Sequence, residues 1–174
     1  MANTLGFHIV ISGYGLWLPG DARGHWSDTW DTHFGYHEPH RLHPGDPVRQ
    51  RMAAERMQHP PVRLTDAMQA VVADTMGRCA NESEWSIAAA SIEPTHTHLL
   101  LTYSPRDIDT TVKWLKDQTT KAVHRDTDHA GPVWCKGSWR SYLFDDRVWQ
   151  NTQRYIERHN QRRGVGPRPY PWIT

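Results

Sequence analysis

The order of apolar periodicities along the 174 residues predicts an α+β fold. The expected form is a ferredoxin-like βαββαβ antiparallel sheet with two helices on one face, a long loop after the first strand and an additional helix near the C-terminal end. Three observations predict it. Short apolar runs at 7–12, 85–92, 96–103 and 139–144 have the length and the β-branched or aromatic content of strands. Two longer segments, starting at Thr65 and Ile108, repeat apolar residues at helical spacing. The second and third runs are separated only by Glu93-Pro94-Thr95, a turn between neighbouring strands.

The first strand, residues 7–12, is apolar and β-branched in its middle. Residues 13–63 then form a long loop insertion, rich in proline and glycine and without a sustained period. A loop of that size is expected to help bind a substrate or a partner. Within it His33, His37, His40 and His43 lie close together, but Pro39 and Pro44 break any single helix that would align them. A solvated loop is the expectation there, ahead of a zinc site. Residues 46–58 can form a short helix with Pro47 in its first turn, and its Arg49, Arg51 and Arg56 are either phosphate contacts or solvated charge.

Thr65 is an N-cap, followed by Met68, Val72, Thr75, Met76 and Cys79 on one helical face. Ile108, Val112, Leu115, Thr119 and Ala122 make the apolar stripe of the next helix, with Lys113, Lys116, Lys121 and Arg125 on its other sides. Asp145-Asp146 offers the N-cap of a last helix that runs without Gly or Pro to about Gln161. The proline-rich end, 162–174, is expected to lie along the surface. With no internal repeat, the chain reads as a single domain, 1–174.

Bulk properties narrow the function classes. The net charge is +1, so no global basic field announces nucleic acid, and any DNA surface must be a local patch. Two cysteines, Cys79 and Cys135, are too few for a disulfide framework or a zinc knuckle. No long apolar span and no signal-peptide pattern occur, so the cytoplasm is the expected location and no membrane is an expected partner. Nine tryptophans and six tyrosines supply core, and some of them can serve as stacking platforms for single-stranded bases.

The residues that carry chemistry fall in two places. Two apart on a strand means one face, so His96 and His98 stand side by side while Thr97, Leu99 and Leu101 point into a core. Such a pair either binds one divalent ion with a third ligand from elsewhere, or is simply two exposed or hydrogen-bonded histidines among twelve. Four apart on the last helix means one face again, which puts Tyr155 and His159 together. Asn160 is rotated roughly 100° from His159 around the helix axis. That rotation favours His159 over Asn160 as the third ligand.

A His-x-His strand followed by a helix with a tyrosine and a ligand-type residue four places on resembles the HUH single-tyrosine transposases of IS200 type. The REP-associated tyrosine transposase branch is the nearer likeness. Phe7-His8-Ile9-Val10 with residues 14–21, the block 93–101, Val112-Lys113-Trp114-Leu115-Lys116, the approach 131–139 and the segment 154–164 follow that family's order. The family usually carries Asn or Gln four residues after its tyrosine, often followed by Pro; here His159 and Asn160 stand instead.

The resemblance implies a metal-dependent nuclease and strand transferase acting on single-stranded or hairpin DNA, as a monomer or homodimer. A phenol with a pKa near ~10 is a poor nucleophile, and a divalent ion offsets phosphate charge and stabilises the leaving oxygen. On this likeness Tyr155 attacks a phosphate to give a 5′-phosphotyrosine and a free 3′-OH, with Mg²⁺ or Mn²⁺ at His96, His98 and His159. Lys113, Lys116, Lys121, Arg125 and Arg158 are the candidate DNA contacts. Two other classes stay open: a domesticated hairpin-binding protein without cleavage, and a metal-dependent hydrolase that uses water in place of Tyr155.

Overall fold

Hydrogen-bonded pairing joins four strands in the spatial order β4-β5-β1-β6. The computed structural model describes residues 4–27 and 41–174. In chain order the elements are β1 (Gly6–Ser12), β2 (His25–Ser27), β3 (Arg41–His43), α1 (Pro47–Glu55), α2 (Asp66–Asn81), β4 (Ile87–Ile92), β5 (His96–Thr102), α3 (Ile108–Asp126), β6 (Trp139–Leu143) and α4 (Asp146–Arg162). All three pairings of the large sheet are antiparallel, with β5 and β1 central. Leaving aside β2, β3 and α1, this is the predicted βαββαβ order with α4 added.

Strand alternation divides the core in two. Phe7, Ile9 and Ile11 of β1 and Leu99 and Leu101 of β5 face Met68, Val72 and Met76 of α2 and Ile108, Val112 and Leu115 of α3. This is the larger core. On the reverse face Leu100, Leu143 and Ile156 form a smaller cluster with Ala88 and Ala89, and Trp149 packs against it. α2 and α3 therefore cover one face of the sheet and α4 the other.

The helix ends follow their caps. Thr65 Oγ1 accepts from Met68 N, and Asp145 accepts from the backbone amides of Arg147 and Val148. α4 stops where Gly164 takes φ +76°, a conformation glycine adopts without the penalty a Cβ imposes.

Two regions differ from the sequence expectation. The stretch 13–63 is not all loop: β2 and β3 pair as a small antiparallel ribbon, with the rings of His25 and His43 stacked at 5.2 Å. α1 has Asp46 as N-cap and Pro47 in its first turn, and ends at Glu55, short of Gln58. His33, His37 and His40 lie outside the described residues. The C-terminal tail runs exposed from 162 to 168, and its last residues also make specific contacts with the body of the fold. Tyr170 and Trp172 stack at 4.9 Å, Ile173 bridges to Ile87, and Trp172 lies so close over Gly77 of α2 that a Cβ there would come within 2.3 Å of it. Among the described residues no helix is long and apolar enough to cross a membrane.

Candidate metal and tyrosine site

β5 is bonded on both sides, so the backbone that carries His96 and His98 is held firmly. Both side chains stand on the α4 face, and their Nε2 atoms converge to 2.9 Å. Two adjacent ligands each about 2.1 Å from one ion would lie roughly 3.0 Å apart in an octahedral arrangement and roughly 3.4 Å apart in a tetrahedral one. The other ring nitrogens have partners: His96 Nδ1 is 2.7 Å from Thr95 Oγ1, and His98 Nδ1 is 3.1 Å from His8 Nε2.

α4 is anchored over this face by two inward residues. Ile156 is fully buried against the small cluster, and Asn160 Nδ2 donates to the carbonyls of Ala90 and Pro167. That leaves Tyr155 and His159, one turn apart with ring centroids 4.7 Å from each other, leaning over the histidine pair. The His159 ring lies 4.6 Å from that of His98 and 5.9 Å from that of His96. Tyr155 lies 5.5 Å from His98 and 6.1 Å from His8, and is 46% exposed, so its phenol is open to a substrate.

Glu93, at the turn before β5, completes the group. Its Oε1 accepts from His159 Nδ1 at 2.6 Å and from Ser91 Oγ at 3.2 Å. His159 Nε2 is buried and meets no hydrogen-bond partner among the described residues. One candidate ligand atom from each of Glu93, His96, His98 and His159 can be chosen so that all lie within 4.8 Å of one another. Convergent imidazole nitrogens, one of them an orphan, fit a divalent ion.

Burial pushes His98 down to about 2, and His96, His8 and His159 add to the effect. Burial and then His159 push His8 down to about 4. His96 is lowered by burial, against an opposing pull from Glu93. All three are neutral near pH 7, the form in which imidazole binds metal.

The linkage has a definite sign. In the unfolded chain these rings take protons near ~6.5, whereas the folded chain resists doing so until about 4 at His8 and about 2 at His98. Their contribution to stability is therefore present above pH 6.5 and lost as the pH falls below it. Melts of metal-free protein from pH 7.5 to 5, a window in which most carboxylates stay ionised, should show a falling Tm. A flat Tm across that window would contradict this electrostatic account.

The sequence expectation placed His96, His98, Tyr155 and His159 in one site, and the structure brings these four together. Asn160 instead holds the helix to β4 and the tail. The lysines and arginine of α3 stand on the other face of the sheet. Lys116 Nζ donates to the carbonyls of Cys135, Lys136 and Gly137, Lys121 pairs with Asp117, and Arg125 pairs with Asp126. Lys113 is exposed there, while Arg158 is exposed on α4, three residues from Tyr155.

Two residues of the site escaped the sequence reading. Glu93 read as part of a turn, and nothing in its spacing tied it to a helix 66 residues away. His8 stood only as part of the opening-strand block, with no place in the site, although a polar side chain between Phe7 and Ile9 was a usable signal. Trp139 at the start of β6 also borders the site, its ring edge-on to His8 at 5.0 Å and 48% exposed.

Residues 58–159 match the family described as "Transposase IS200 like". No curated protein sequence matches the chain. A solved structure of a REP-associated tyrosine transposase bound to a REP hairpin is similar at 11% identity and TM-score 0.54, over 94% of this chain and 72% of that one. A candidate transposase from Deinococcus radiodurans R1 is similar at 16% identity and TM-score 0.47, over 91% and 93%.

Proposed function

The chain belongs to the IS200-like transposase family, and from that premise we propose that it cuts and rejoins single-stranded DNA, at or beside hairpins, through a covalent bond to Tyr155. The observation that carries the reading is the exposed phenol of Tyr155 packed at 4.7 Å against His159, directly over the His96–His98 pair. A structural tyrosine in that position has no need of three convergent imidazoles beneath it.

His96, His98 and His159 hold the divalent ion. When bound, the ion supplies Lewis-acid charge at the scissile phosphate. An all-imidazole donor set leans toward Mn²⁺, Co²⁺ or Zn²⁺ relative to Mg²⁺. Tyr155 Oη attacks phosphorus, the bond to the 3′ oxygen breaks, and the phenol proton leaves as the 3′ oxygen gains one. The products are a 5′-phosphotyrosine and a free 3′-OH. Because the phosphodiester energy is conserved in the tyrosyl ester, a second 3′-OH reverses the step and joins strands without an external source of energy. α4 fixes the approach of the phenol.

The substrate follows from charge and aromatics. At net charge +1 the protein does not gather duplex DNA by bulk attraction. Trp139, half exposed beside His8, is placed to stack an unpaired base. The structural relative named above is bound to a REP hairpin, which makes hairpin DNA the first substrate to try. Incubated with labelled hairpin DNA carrying a single-stranded flank, the protein should form a covalent adduct with Mn²⁺ and none with EDTA. Blunt duplex of the same length should bind at least about tenfold more weakly and yield no adduct. Equal affinity for duplex and hairpin, or cleavage that releases free 5′-phosphate without an adduct, would overturn the proposal; the second outcome would indicate water as nucleophile.

A further inference from the structure

The three imidazoles of the cluster share one arrangement. Each has its Nδ1 within hydrogen-bonding distance of a group outside the ligand set: Thr95 Oγ1 at 2.7 Å for His96, His8 Nε2 at 3.1 Å for His98 and Glu93 Oε1 at 2.6 Å for His159. That leaves each ring its Nε2: those of His96 and His98 lie 2.9 Å from each other, and that of His159 meets no hydrogen-bond partner among the described residues. A neutral imidazole carries a single proton, so a partner that accepts at Nδ1 frees the lone pair at Nε2. Hydroxyl and imidazole partners can donate as well as accept. An ionised carboxylate can only accept, so Glu93 is the one member of this outer ring that fixes a tautomer unambiguously.

On the reading that His159 binds the ion, we propose that Glu93 is a positioning residue: it accepts a hydrogen bond from the Nδ1–H of His159 and so holds that ring with Nε2 turned to the metal. Three features support this over direct ligation by Glu93. Its Oε1 already accepts two hydrogen bonds, from His159 Nδ1 and Ser91 Oγ, and Ser91 is fully buried, so that oxygen is already engaged. The same oxygen is 3.8 Å from His96 Nε2, farther than the 2.9 Å between the two strand imidazoles. And the nitrogen left over on His159 is buried and without a partner among the described residues. A carboxylate behind a metal-binding histidine fixes ring orientation and raises ligand basicity.

The test uses the full-length protein with Co²⁺ and Mn²⁺ as probes. Glu93→Ala should weaken Co²⁺ binding roughly ten- to a hundredfold, the usual cost of losing such a partner. Glu93→Gln retains an amide oxygen that can still accept the Nδ1 proton, and should stay within about threefold of the parent with the same Co²⁺ visible spectrum. Long-range ¹H–¹⁵N spectra of the metal-free parent should show His159 as the Nδ1–H tautomer, a readout independent of how any variant folds. An Nε2–H tautomer in the parent would overturn the proposal, as would parental affinity in Glu93→Ala. Equal weakening in Glu93→Gln and Glu93→Ala, with a changed Co²⁺ spectrum, would make Glu93 a direct ligand instead. If the parent takes up no Co²⁺, the metal reading fails and this proposal fails with it; loss confined to the comparison of variants leaves the metal reading standing.

Discussion

Tyr155→Phe should fold and bind hairpin DNA like the parent and form no covalent adduct, a loss on the order of 10³-fold or more. The change removes one hydroxyl from a side chain that is 46% exposed, so its effect on stability should stay within about 0.5 kcal/mol. The aromatic contacts of the ring with His159, His98 and His8 survive the substitution. Denaturing gels of the reaction with labelled hairpin, alongside thermal melts, measure both halves of this expectation. Normal adduct formation by the phenylalanine variant would remove Tyr155 from the chemistry.

His159→Ala and Asn160→Ala, one residue apart, should separate cleanly. His159→Ala removes a proposed ligand and should weaken Mn²⁺ or Co²⁺ binding by more than the hundredfold that bounds the loss of an outer partner. Cleavage should fall with it. Asn160→Ala should leave metal affinity nearly unchanged. It deletes the donor to Ala90 and Pro167, leaving two carbonyls to find other partners, at about 1–3 kcal/mol. In a chain of this size that amounts to a few degrees of Tm. Calorimetric metal titrations with melts of both variants decide the matter. The reverse pattern, with metal binding lost only in Asn160→Ala, would mean that α4 turns its amide, not its imidazole, toward the ion.

How legible the molecule was follows from the range of the interactions that shape it. Local periodicities carried the sheet and its helices: the alternation of Thr97, Leu99 and Leu101 against His96 and His98, the stripe from Ile108, and the caps at Thr65 and Asp145 are all written within a few residues. The four-residue step from Tyr155 to His159 was legible for the same reason. The carboxylate behind His159 was not, because Glu93 meets α4 only through the docking of that helix on β4 and β5. His8 reaches His98 through the β1–β5 register, which pairs Val10 with His98 and places His8 on the same face. No single-strand pattern contains that pairing.

The basic residues of α3 show the limit of local spacing from the other side. Helical spacing identified Lys113, Lys116, Lys121 and Arg125 as off the apolar stripe, and they are. It could not tell that the α3 side of the sheet is turned away from Tyr155, or that Lys116 is occupied by three carbonyls of the approach to β6. The tail's composition was only partly informative. Its prolines forbid helix and central strand, yet Trp172 finds the one place on α2 where a glycine, Gly77, leaves room for an indole.

The central claim is that DNA becomes joined to this protein at one atom, Tyr155 Oη. Mass spectrometry of the adduct, after nuclease trimming of the DNA and proteolysis of the protein, reads that atom's residue directly. The account predicts a nucleotide phosphate on the peptide containing Tyr155, formed only with a divalent ion present. A phosphate carried by any other residue, or cleaved DNA with no modified peptide, would contradict it.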